Sequence, residues 1–86
     1  TFKLQHRTFS GQYLDAYTSS NNYKAVLRDG VDSDDQVWRA ELNCSTFRLI
    51  QESTGRHLDA YTSSSANYRA VTRPPQADGT QTWQIE

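Results

Sequence analysis

Leu14-Asp15-Ala16-Tyr17-Thr18-Ser19-Ser20 occurs twice, returning unchanged as Leu58-Asp59-Ala60-Tyr61-Thr62-Ser63-Ser64. Seven identical residues at a fixed spacing in a chain of 86 mark an internal duplication, and a repeat decides architecture before any single residue does. The flanks extend the match. Thr46-Phe47-Arg48-Leu49 answers Thr1-Phe2-Lys3-Leu4, and Asn67-Tyr68-Arg69-Ala70-Val71 answers Asn22-Tyr23-Lys24-Ala25-Val26. The turn Thr54-Gly55 is one residue shorter than its counterpart around Ser10-Gly11. The sequence thus predicts one domain over 1–86 built of two units, repeat one at 1–45 and repeat two at 46–86.

Each repeat carries the two-residue alternation of half-buried strands, and neither shows a helical period. In the duplicated stretch Leu14 and Ala16 point one way, and Tyr13, Asp15 and Tyr17 the other. Phe2 and Leu4 alternate with polar neighbours ahead of it. Tyr23-Lys24-Ala25-Val26-Leu27-Arg28 follows as a run of β-formers, and Gln36-Val37-Trp38-Arg39-Ala40-Glu41-Leu42 puts Trp38, Ala40 and Leu42 on one face. Repeat two follows the same script, with Pro74-Pro75 and Asp78-Gly79 in a loop before Gln81-Thr82-Trp83-Gln84-Ile85. The expectation is an all-β chain of four short strands per repeat.

Composition narrows the function. Hydrophobic residues are 35% of the chain, so the 12% that are aromatic must supply much of the core volume. The net charge is −1, and neither half is a basic footprint, which argues against nucleic-acid binding. No apolar run approaches a membrane span. Cys44 stands alone, so neither a disulfide framework nor a cysteine zinc site is available, and it reads as a small buried hydrophobe or a connector. His6 and His57 occupy unmatched positions and read as surface residues. The run Asp32-Ser33-Asp34-Asp35 lacks the spacing of a calcium loop and reads as solvated. No nucleophile–base or paired-carboxylate motif is evident, so no enzyme, no cofactor and no metal are expected. Thr1 in place of an initiating Met fits a processed or trimmed product. The expected setting is secreted or extracellular.

In each repeat an aromatic-x-Leu is followed by Gly-x-x-Leu-Asp-Ala, a third strand and Gln-x-Trp, the last being Gln36-Val37-Trp38 and Gln81-Thr82-Trp83. This pattern resembles the β-trefoil unit of the ricin-B-type, or Gln-x-Trp, lectins over nearly the whole chain. The resemblance implies a carbohydrate-binding module with glycan partners. A trefoil has three units, however, forming a six-stranded barrel capped by three hairpins, and this chain has two. Two units leave an open barrel with exposed edges, which soluble proteins avoid. The expectation is therefore an incomplete, β-trefoil-like fold, closed by homo-oligomerisation or lacking a third lobe; another small barrel or sandwich is the alternative.

In lectins of this type an Asp from the Leu-Asp strand accepts hydrogen bonds from sugar hydroxyls and an aromatic ring stacks on the sugar's apolar face. Carried over, the resemblance makes Asp15 and Asp59 the carboxylates, one weak site per repeat. The third strands end in Arg28 and Arg73 instead of an aromatic residue, so Tyr17 and Tyr61, or Tyr23 and Tyr68, have to serve as platforms, with Asn22 and Asn67 beside them. The competing reading of these residues is structural. Arg28 and Arg73 pair with Asp15 and Asp59, or each Asp caps the backbone amides of the loop that follows it. Gln36, Gln81 and both tryptophans read as structural. The rival function is a non-catalytic scaffold similar to the fascin type of trefoil, in which the arginines and the Tyr faces contact protein.

Overall fold

The computed structural model describes residues 1–77 and 79–85; the Asp78 half of the expected Asp78-Gly79 loop lies outside them. Six strands form: β1 Gln12–Ala16, β2 Ala25–Asp29, β3 Trp38–Asn43, β4 Thr46–Gln51, β5 His57–Ala60 and β6 Ala70–Arg73. β1 and β2 are an antiparallel hairpin, and β3-β4-β5-β6 an antiparallel meander. Short 3₁₀ turns precede β2, β3, β6 and the final segment, and no α-helix occurs among the described residues. This is the all-β, incomplete trefoil: two lobes, one per repeat, each with its own hairpin (β1–β2 and β5–β6), joined by β3–β4.

The lobes share the hydrogen bonds that hold their Gln-x-Trp segments. Phe2 and Trp38 exchange backbone hydrogen bonds at 2.9 and 2.8 Å, and Phe47 and Trp83 do so at the same two distances. Each tryptophan donates its indole N–H, Trp38 to Leu14 O and Trp83 to Leu58 O, both at 3.1 Å. The indoles thus bury their area without an unpaired donor, which a core this small requires. Trp38 is fully buried, in a cluster with Ala16, Leu49 and Leu58, while Leu14, Ala40, Phe47 and Trp83 pack around it.

Turn chemistry explains the hairpins. Gly11 and Gly55, at φ 88° and 71°, supply the left-handed residue that each turn before the Leu-Asp-Ala strand needs. Between β1 and β2 three successive residues, Asn21, Asn22 and Tyr23, are left-handed; between β5 and β6 Asn67 and Tyr68 are. Asn tolerates this region better than other side chains, which gives Asn22 and Asn67 a conformational reason to be present.

Several expectations are corrected. The backbones of residues 2–5 and 82–85 pair only at isolated bridges, Phe2 to Trp38, Gln5 to Tyr13 and Trp83 to Phe47, instead of forming full strands. Gln36 and Gln81 close 3₁₀ turns before the strand positions expected of them. His57 is buried, not a surface residue, because β4 and β6 flank it. Cys44 is exposed, taking the connector role at φ 59° in the turn between β3 and β4. Asp34 and Asp35 form a 3₁₀ turn capped by the Ser33 hydroxyl, with Asp35 half-buried, so the acidic run is more ordered than a solvated loop.

Candidate functional site

The duplicated Asp is the centre of a buried polar knot in each lobe. Asp15 Oδ1 accepts from Ala16 N at 2.7 Å, and Oδ2 from Gln36 Nε2 at 3.2 Å. That amide nitrogen also donates to Asp29 O at 2.8 Å, while Gln36 Oε1 accepts from Val31 N at 3.1 Å. In lobe two Asp59 accepts from Ala60 N at 2.7 Å and from Gln81 Nε2 at 3.1 Å; Gln81 donates on to Pro74 O at 2.9 Å and accepts from Gln76 N at 2.9 Å. The Gln of Gln-x-Trp therefore ties the Leu-Asp strand to the loop after the third strand. Asp15 and Asp59 are buried, and no buried side-chain nitrogen or oxygen among the described residues lacks a partner.

The arginines sit on the tyrosines. Arg28 lies 4.4 Å from the Tyr17 ring centre and Arg73 4.5 Å from that of Tyr61. Lys24 and Arg69 add second cations at 6.0 and 5.7 Å. Arg73 Nη1 also comes within 3.9 Å of Asp59 Oδ2, at the outer limit of an ion pair. Tyr23 is a seam residue, with the Arg56 guanidinium 3.7 Å from its ring centre across the lobe boundary, whereas Tyr68 is exposed. Asn22 and Asn67 are exposed on their turns. The structure thus brings Asp15, Tyr17 and Arg28 together on one hairpin, and Asp59, Tyr61 and Arg73 on the other. It leaves Tyr23 and Tyr68 apart from these groups.

An open cleft of about 480 Å³ lies over the Asp15 knot, lined by Gln12, Asp15, Arg28, Asp29, Val31, Ser33, Asp35 and Gln36. Gln12, Asp29 and Asp35 were not singled out from the sequence. Gln12 stands opposite Asp29 in the β1–β2 register and its amide donates to the Asp29 carboxylate. The signal available was the comparison of repeats: Asp29 and Asp35 align with Pro74 and Thr80, and Gln12 with Arg56, so the two copies differ at this end of lobe one. The lining offers carboxylate acceptors, an amide and a guanidinium at an open surface, a set suited to a small polyhydroxylated or hydrogen-bonding ligand. No group of three or more His, Cys, Asp or Glu side chains is arranged for a metal among the described residues.

Two lobes of this form, each locked by Asp, Gln and Trp, define the chain as β-trefoil in class. Among solved structures it is similar to the designed threefold-symmetric protein ThreeFoil, with a TM-score of 0.81 and 24% identity over 95% of this chain. The chain spans 61% of the length of that design, near the two units of three counted in the sequence. No family model matches the chain, and no curated protein does.

Proposed function

We propose that the chain is a non-catalytic carbohydrate-binding module of the ricin-B-like, Gln-x-Trp kind, with one weak site per lobe and the better furnished one in lobe one. The observation that carries this reading is the cleft over Asp15. It combines the acceptors of Asp29 and Asp35 with the Gln12 amide and Arg28, at a place where the buried Asp15–Gln36 knot fixes the floor. Hydroxyl pairs suit carboxylate acceptors, and weak single sites become useful when several engage one glycan. In lobe two Pro74 and Thr80 replace the two carboxylates, so its site is the weaker one.

The test is titration of the chain with mono- and oligosaccharides chosen from a glycan array. Asp15 and Asp59 are poor probes, since replacing either breaks a buried network. Asp29→Asn and Asp35→Asn act at the cleft itself, and each is expected to weaken sugar binding about tenfold, the loss of one charge-assisted hydrogen bond. Pro74→Ala is expected to leave the stronger affinity unchanged. Absence of any sugar binding at millimolar concentration, or unaltered affinity in both Asp variants, sinks the proposal.

One observation favours the rival, a fascin-like scaffold surface. The Tyr17 and Tyr61 rings already carry guanidinium groups where a sugar would stack. Retention of a protein partner by the wild type, lost in Arg28→Ala and Arg73→Ala while sugars fail to bind, decides for it.

A further inference from the structure

The two hairpins share one scaffold and differ in charge. Residues 24–36 of lobe one carry two basic and four acidic side chains; the matching residues 69–81 carry two basic and one acidic. Both copies keep the cations, Lys24 answering Arg69 and Arg28 answering Arg73. The carboxylates are what changes. Arg28 shares its cleft with Asp29 and Asp35, whereas Arg73 has Pro74 and Thr80 at those positions, and the single acid of its stretch is Asp78, aligned with Ser33. Along this stretch lobe two is therefore the more positive of the two.

The four arginines of repeat two divide by what they hold. Arg48 donates to Gln76 O at 2.6 Å and to Gln81 Oε1 at 3.3 Å, and Arg56 donates to Thr72 O at 2.7 Å and to the Thr72 hydroxyl at 3.1 Å. Arg69 and Arg73 make no side-chain hydrogen bond among the described residues. They lie 5.7 and 4.5 Å from the centre of one ring, that of Tyr61, and Arg73 Nη1 stands 3.9 Å from Asp59 Oδ2. Asp59 is buried with its oxygens held by Ala60 N and Gln81 Nε2, so it steadies Arg73 without satisfying the guanidinium donors. The Arg73 side chain remains 30% exposed and Arg69 is exposed, so both can be reached from solvent. The ring face attracts both cations, while their mutual repulsion favours an anion between them. A guanidinium fork matches two oxygens of a carboxylate or a sulfate.

We propose that lobe two is a site for acidic sugars, in which a carboxylate or sulfate on the glycan bridges Arg69 and Arg73 over Tyr61. The proposal rests on the carbohydrate reading above and deepens it for one lobe. Lobe two is the weaker site only toward neutral sugars, which need the acceptors that Asp29 and Asp35 supply in lobe one. A sugar that brings its own negative charge needs donors instead, and those are what Arg69 and Arg73 offer.

The experiment titrates the chain, followed by backbone amide shifts, with glucose, galactose and mannose, with the uronic acid and the 6-sulfate of each, and with inorganic sulfate. At least one acidic sugar is expected to bind about tenfold more tightly than its neutral parent, moving the amides of Tyr61, Arg69 and Arg73, and to weaken severalfold between about 0.02 and 0.2 M NaCl. Whether the uronic acid or the sulfate binds better identifies the group. Arg69→Gln and Arg73→Gln are each expected to lower that affinity about tenfold. Arg69 is exposed, so its variant separates loss of the site from loss of the fold. Pro74→Asp, which copies lobe one, is expected to weaken the acidic sugar as well. Acidic sugars that bind no better than their neutral parents overturn the proposal, as do unaltered affinity in both arginine variants and shifts confined to lobe one. Inorganic sulfate binding as tightly as the sugar sulfate also overturns it, since the site then holds a plain anion. Neutral sugars weakened by Asp29→Asn without any acid preference refute this proposal alone. Acid binding at lobe two with no neutral sugar at the lobe-one cleft supports it and refutes only the assignment of that cleft.

Discussion

At the scale of single residues, Asp15 and Asp59 carry two demands at once. Each is buried with both carboxylate oxygens engaged, by the following backbone N–H and by the Gln of Gln-x-Trp. The Gln is equally committed, donating to both the carboxylate and a loop carbonyl. Gln81→Leu fits the volume but leaves Asp59 Oδ2, Pro74 O and Gln76 N without that partner. An unsatisfied buried group costs about 1–3 kcal/mol, so the expected loss is at least that size, read from urea denaturation. A loss under about 0.5 kcal/mol, the range of neutral surface changes, would mean that water replaces the amide at no cost.

At the scale of elements, β5 carries an ionisable group that the hairpin buries. His57 lies between β4 and β6, with Nδ1 3.5 Å from Arg48 Nη1. Burial and then the Arg48 charge hold its pKa below the ordinary 6.5, with Arg39 adding to the effect and Glu41 opposing it. The unfolded chain therefore binds the proton more readily than the folded one. The stability this residue contributes is complete above about pH 6.5 and is lost as pH falls toward the depressed folded value. In lobe one the matching position is Tyr13, under Lys3 at 5.6 Å, a cation over a ring that does not take up a proton. His57→Tyr, which copies lobe one, is expected to remove this part of the acid dependence. Unfolding midpoints measured between pH 5 and 8 for both proteins check it, and parallel curves refute it.

At the scale of the whole molecule, stability is graded from the lobe boundary outward. β3–β4 pairs along its full length and buries Trp38, Leu49 and Ile50. Residues 2–5 and 82–85 are held by isolated bridges and keep Leu4 and Ile85 exposed. Local opening follows the density of buried contacts. In the 86-residue chain the amides of β3 and β4 are therefore expected to exchange slowest, and those of the two outer segments at least about a hundredfold faster, a difference near 2.7 kcal/mol in opening free energy. Uniform exchange rates along the chain, by hydrogen–deuterium mass spectrometry, would contradict the grading.

The repeat, the strand-only architecture and the separation of Leu14 and Ala16 from Asp15 were all legible in the order of the residues. They rest on local periodicity and on identity between copies, which one chain displays in full. On the polar side the structural role of Gln36 and Gln81 toward backbone groups was legible, and their partners were not. Nothing local says that Asp15 is roofed by Gln36, that Tyr17 faces Arg28, or that Asp29 and Asp35 come together over one cleft, because these contacts join residues from different turns of the chain. The count of two units stood in the sequence as a puzzle about closure. Only the tertiary structure turned it into a surface, by covering Tyr23 and leaving Tyr68 bare. Burial is a property of neighbours in space, and two identical stretches acquire different surroundings as soon as one has a lobe beside it and the other does not.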